Sequence, residues 1–203
     1  MNRRGGFTLV EVLVGLTVAS LALLAGMSTL GFVDERARHA EAALTVATGA
    51  ANQRALLTDW LTGARARAVT GETFEGFLEE IDGVESSLLL LPTVAATPLE
   101  GATTVVGLYI DVNDETPERG LVAEMTGVTL GMEPRRMELV PEAGVLRIRY
   151  LMLFDTGDWN WIDEWQGQQS MPRMIELSLE PARGETLPPL LTYPIRVALT
   201  GQR

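Results

Sequence analysis

The hydrophobic pattern changes character three times along this chain. After a short basic leader, Met1-Asn2-Arg3-Arg4-Gly5-Gly6, an apolar run extends from Phe7 to Val33 and carries one formal charge, Glu11. At about 1.5 Å per helical residue this run reaches about 40 Å, against ~30 Å for the hydrocarbon core of a bilayer. The pattern therefore predicts a tilted membrane-spanning helix over 7–33. Gly15, Ala19, Ala22, Ala25, Gly26 and Gly31 interrupt its Leu/Val background, and small residues let helices approach closely in lipid. From Asp34 to Val69 neither proline nor a turn cluster occurs, and alanine is abundant. Ala40, Leu44, Ala47, Ala51, Ala55 and Thr58 recur at helical spacing. The helix is thus expected to continue over 34–69 as a soluble half. Its narrow alanine stripe would lie against a sheet or another helix, and Thr70-Gly71 would end it.

Beyond Gly71 the period shortens. Phe74, Phe77, Leu78 and Ile81 fit a short helical turn or two, or a wrapped loop. Ser87–Pro92 reads as a buried strand stopped by its proline. Thr103–Asp111 is β-branched, with Gly120–Met125 as its hairpin partner. Met137–Val140 and Val145–Phe154 continue the sheet; in the latter, Leu146, Ile148, Tyr150, Met152 and Phe154 share one face, with Arg147 and Arg149 on the other. Met174–Leu179 alternates likewise, and Tyr193–Leu199 closes the chain. The expected class is α+β: one long N-terminal helix, then a mostly antiparallel body over 70–203, in one sheet or two.

Glu11 is the anomaly in this pattern. A carboxylate towards the middle of a span costs on the order of 2.5–3.5 kcal/mol, so an intramembrane acid implies a partner. The leader supplies one. An ordinary secretory signal is cut after its apolar region, whereas here the available small-residue cut, between Gly6 and Phe7, precedes it. Cutting there would leave the helix in place and free an α-amine on Phe7, one turn from Glu11. Pairing with that amine, in the same copy or a neighbouring one, offsets much of the carboxylate's cost.

Composition narrows the field. All 16 basic residues are arginine against 27 acids, for a net charge of −11; without Arg3 and Arg4, 14 face 27. So acidic a chain argues against nucleic-acid binding. Arg3 and Arg4 on the short side and Asp34-Glu35 on the far side place the N-terminus in the cytoplasm and the body outside. With no cysteine, disulfides, thiol nucleophiles and thiolate metal sites are all excluded.

Gly6-Phe7-Thr8-Leu9-Val10-Glu11 resembles the type III signal of the type IV pilin superfamily. The resemblance implies that a prepilin peptidase cuts after Gly6 and methylates Phe7, and that Glu11 matches subunits during filament assembly. Within that superfamily, Asn52-Gln53-Arg54-Ala55-Leu56 with Asp59 resembles the J-type minor pseudopilins of type II secretion. So does Val145–Phe154, followed by Trp159, Trp161 and Trp165 and then Met171-Pro172-Arg173-Met174-Ile175-Glu176-Leu177. What this implies is a single-pass inner-membrane subunit with a periplasmic body, near the tip of a pseudopilus. It would act with minor pseudopilins of the I and K types, priming assembly and supporting export of folded proteins across the outer membrane. A minor pilin of a type IV or DNA-uptake pilus is the alternative, although the cysteine pair common in adhesive minor pilins is absent. A membrane-anchored periplasmic enzyme or binding protein stands behind both.

Trp159, Trp161 and Trp165, with Phe154, sit among Asp155, Asp158, Asp163 and Glu164. Aromatic residues with a polar rim are enriched at binding hot spots. Such residues also anchor loops to their own sheet. The expectation is a partner surface, with at least one tryptophan serving as an anchor. Asp111-Val112-Asn113-Asp114-Glu115 begins like a calcium loop, but Thr116 stands where the EF-hand needs glycine and Val122 where it needs the bidentate acid. No Walker loop, GxSxG or HExxH occurs, and His39 is the single histidine. No cofactor, metal or catalytic activity is expected.

Overall fold

The computed structural model describes residues 9–69, 71–81, 83–98, 104–113, 115–127, 133–154, 156–168 and 170–199. Gly6, Phe7, Thr70, Asp114 and Asp155 lie outside them, and of Glu11 and His39 only the helical backbone is described. Helix α1 runs Leu9–Thr62. The chain divides into two compact units, Met1–Val46 and Ala47–Arg203.

In the first unit, Leu9, Leu13, Leu16, Leu23 and Met27 are exposed. Thr17 and Ser20 turn their hydroxyls back onto the carbonyls of Val14 and Leu16, each at 2.8 Å, a local way to satisfy a hydroxyl within a helix. Among the described residues, no helix is long and apolar enough to cross a membrane.

In the second unit the end of α1 contributes Ala50, Leu57, Trp60 and Leu61 to the core. This corrects the expected packing face, because Ala47, Ala51 and Ala55 are exposed and Leu44 is 67% exposed. Turning the larger side chains inward buries more apolar area than an alanine stripe offers. The expected end at Val69 is also corrected. After Thr62 the backbone pairs with the sheet: Arg65 N–H donates to the Pro92 carbonyl (2.7 Å) and Ala64 bridges Thr93. Gly63 permits this turn, since a Cβ there would lie 2.7 Å from Thr93 Oγ1 and 2.8 Å from the Ala95 nitrogen.

Among the described residues, nine strands follow. A five-stranded antiparallel meander comprises β1 (Glu75–Ile81), β2 (Val84–Thr93), β3 (Thr104–Asp111), β4 (Gly120–Gly127) and β5 (Arg135–Val140). The second sheet is built from β6 (Ala143–Leu153), β7 (Trp159–Ile162), β8 (Met174–Pro181) and β9 (Ile195–Ala198), in the order β7-β6-β8-β9. Both sheets feed one core with the end of α1. The expected β3–β4 hairpin and the alternation of β6 are present.

Two local readings are corrected. Strand β1 replaces the helical turn or loop expected at Phe74–Ile81, and β2 is not stopped at Pro92 but carries it as its penultimate residue, paired with Val105. Proline lacks only the N–H, and its carbonyl still takes the Arg65 donor.

The sheets also meet edge to flank. Strand β7 pairs with β6 only from Tyr150 to Leu153. Nearer the start of β6, the N–H groups of Leu146 and Ile148 donate to the hydroxyls of Ser86 (3.1 Å) and Ser87 (2.9 Å) from β2. An edge that would otherwise be open is satisfied by side chains.

Candidate partner surface

The tryptophan segment is a hairpin followed by an anchor, not a free loop. The register pairs Leu151 with Trp161 and Leu153 with Trp159. The turn closes through Phe154 N–H to the Asp158 carbonyl (2.9 Å) and Gly157 N–H to the Phe154 carbonyl (2.8 Å). Gly157 supplies the φ of +86° that this turn requires. Trp159 is consequently 50% exposed and Leu153 49%, with Phe154 exposed beside them. Trp161 is half-buried, and the Arg149 guanidinium stands over its ring at 5.3 Å, a cation–π arrangement.

Trp165 behaves differently, and its expected place on the partner surface is corrected. It is buried, and its backbone exchanges two hydrogen bonds with Gly76 of β1 (2.8 and 2.9 Å). Its ring lies 5.8 Å from that of Tyr150, which in turn meets Phe74 edge-on at 6.0 Å. The indole N–H donates to the Ser170 carbonyl (3.3 Å). Trp165 is the anchor that ties the segment to the first sheet, since only the interior offers an indole both apolar cover and a partner for its N–H. Next to it, the Tyr150 hydroxyl is buried without a hydrogen-bond partner among the described residues, and burial raises its pKa. A Cβ added at Gly76 would fall on that hydroxyl.

Behind Trp161 the outer face of the second sheet is charged. Glu176 is almost buried and is gripped by Arg149 and Arg196 from the neighbouring strands. Burial alone would raise its carboxyl; the hydrogen bonds and charges of the two arginines outweigh that and hold it below its ordinary value. Arg147 and Glu180 form a more exposed pair at 2.5 Å.

The acidic turn after β3 is occupied by the protein's own donors. Asp111 accepts from Asn113 N–H (2.8 Å), the Thr116 hydroxyl (3.1 Å) and the Arg136 guanidinium (2.7 Å). Arg136 also donates to the Tyr109 hydroxyl from Nε at 3.0 Å. Among the described residues, no group of three or more potential ligands is placed to hold a metal ion.

Two residues of the segment Asn52–Leu56, set apart in the sequence by resemblance and not by periodicity, tie the end of α1 to the body. Gln53 donates to the Leu139 carbonyl, and Arg54 to the carbonyls of Leu190 (3.0 Å), Tyr193 (2.8 Å) and Pro194 (2.9 Å). An arginine on an amphipathic helix reads as solvated; the three convergent carbonyls appear only once the chain returns.

Residues 1–27 match the prokaryotic N-terminal methylation motif. No curated protein matches the chain. Among solved structures, the chain is similar to a chain in the crystal structure of the GspK-GspI-GspJ complex from the enterotoxigenic Escherichia coli type 2 secretion system. The TM-score is 0.51 at 17% identity, over 79% of this chain and 99% of that one, and at that identity the likeness is one of fold. The chain thus carries a methylation motif at its head and has an α+β fold similar to that of a chain in a type 2 secretion complex.

Proposed function

We propose that this chain is a minor pseudopilin of the J type in a type II secretion pseudopilus. The observation that carries this reading is the methylation motif on residues 1–27, at the head of a chain whose fold resembles one from the GspK-GspI-GspJ complex. In this reading a prepilin peptidase cuts between Gly6 and Phe7 and methylates the new amine. Residues 7–33 then span the inner membrane with the body in the periplasm, and α1 continues from residue 34 into that body. Glu11 is tolerable in lipid because a Phe7 amine meets it, and pairing across copies draws the subunit into a filament. The partners are minor pseudopilins of the I and K types, the task is to prime assembly for export of folded proteins, and no catalytic step is involved.

Mass spectrometry of the chain from a host that has the peptidase should find Phe7 as the first residue, bearing one methyl group. Glu11→Ala should leave the subunit processed but uncrosslinked to its neighbours in the membrane. An intact Met1, or normal filaments from Glu11→Ala, would overturn the reading.

A further inference from the structure

Helix α1 is tied to an edge strand of each sheet. Strand β5 ends the first sheet and β9 ends the second. Two consecutive residues of the helix reach one edge each. Gln53 donates to the Leu139 carbonyl on β5, and Arg54 donates to the carbonyls of Leu190, Tyr193 and Pro194, the run that leads into β9. Neighbours on a helix project about 100° apart around its axis, so the two ties pull in different directions and oppose a sideways swing in either sense. The apolar grip lies further along. Leu57, Trp60 and Leu61 are fully buried, whereas from Ala47 to Leu56 Ala50 alone is buried, and a single methyl group removes little area from water. Arg54 stands about 9 Å along the axis from Trp60, on the side where the helix leaves the body.

Among the described residues Arg54 makes no ion pair; its guanidinium is given over to the three carbonyls. A planar fork of N–H donors suits convergent acceptors, and an ammonium group on a flexible stem does not hold them in one plane. We propose that Gln53 and Arg54 form a brace that fixes where α1 leaves the second unit, and that entry of the subunit into a filament depends on this brace. Both are positioning residues in this role, acting through the helix and not as contacts to a partner. A subunit that meets its neighbours through helix and body together satisfies both sets of contacts only when the helix is held in one direction, and holding it beforehand removes an entropic cost from assembly. The inference rests on the pseudopilin reading and adds to it the device by which the body and its helix act as one piece.

The chain has no cysteine, so Thr48→Cys and Glu164→Cys, both at exposed positions of the second unit, take a pair of spin labels without further changes. In the full chain in lipid nanodiscs, pulsed electron paramagnetic resonance should give one narrow distance distribution. Gln53→Ala combined with Arg54→Ala should broaden it at least about twofold, because few buried contacts then resist the swing. Arg54→Lys keeps the charge without the fork and should broaden it as well. In a host with the remaining subunits, the double variant should be processed at Phe7 yet cross-link to its neighbours at least about fivefold less than the parent. Ile175→Val, a change in the core at β8, should lower the urea midpoint and leave both readouts unchanged, which separates a brace from a general loss of stability. An unchanged distance width in the double variant, or normal cross-linking despite a broad one, overturns the proposal. Loss of the folded body in that variant overturns it too, since that is how a core residue behaves. The distance width is read without any filament, so a failed brace is distinguishable from a failed pseudopilin reading, whose own test is the first residue of the mature chain.

Discussion

Glu176 concentrates the electrostatics of this body in one side chain. Burial opposes its charge, and the hydrogen bonds of Arg149 and Arg196 more than offset that, leaving its folded-state pKa below the ordinary 4.5. A depressed carboxyl contributes stability that is complete above the unfolded value and is lost as pH falls through the folded one. Urea midpoints of the parent should therefore drop as pH falls below about 4.5. Glu176→Gln should be less stable at neutral pH and show a smaller drop in acid; identical acid limbs for the two proteins would refute the assignment. The partner arginines are half in water, so the effect is screened and modest. At this scale much was legible: the outward Arg147 and Arg149 follow from alternation alone. The fates of the tryptophans were not. Trp159 and Trp165 stand in the same acidic, aromatic-rich segment, yet one is 50% exposed and the other 2%. What separates them is Gly76, a residue some ninety positions earlier whose backbone receives Trp165.

At the scale of elements, strand β1 is where local pattern misleads. Glu79-Glu80 breaks its alternation and its burial is irregular, so Phe74 to Ile81 mimics a helical turn. What makes it a strand is pairing with β2 over its whole length, from Glu75↔Leu90 to Ile81↔Val84. The same strand brings Gly76 against Tyr150 of β6, which sets a paired prediction. Gly76→Ala should destabilise the body by about 1–3 kcal/mol, the usual cost of overpacking. Tyr150→Phe removes a buried hydroxyl that has no partner among the described residues, and should be neutral or stabilising by about 1 kcal/mol. Chemical denaturation measures both, and a marked loss from Tyr150→Phe would mean that the hydroxyl has a partner after all. The exposure of Ala47, Ala51 and Ala55 is a second misreading at this scale. Helical spacing identifies a face but not which of two candidate faces is buried, and Leu57, Trp60 and Leu61 carry the larger apolar area.

Over the whole molecule, the buried apolar side chains of the described residues all lie between Ala50 and Leu199, inside the unit Ala47–Arg203. A fragment starting at Ala47 should accordingly fold by itself and unfold in one cooperative step by circular dichroism. A broad, non-cooperative transition would show that the first 46 residues are needed for the fold. The sequence by itself determined the features that depend on near neighbours in the chain. These are the motif at the head, the single acid in an apolar run, the β3–β4 hairpin and the two-faced β6. Side-chain alternation and charge placement are properties of short windows, and a short window contains all the physics they need. Tertiary structure alone decided where α1 stops, which of its faces is buried, which tryptophan becomes an anchor, and how four strands align Trp161, Leu151, Met174 and Ala198 on one outer face. Each of those outcomes is a competition between surfaces far apart in the chain, settled by buried area and by which backbone groups find partners, and neither quantity exists until the distant strands have met.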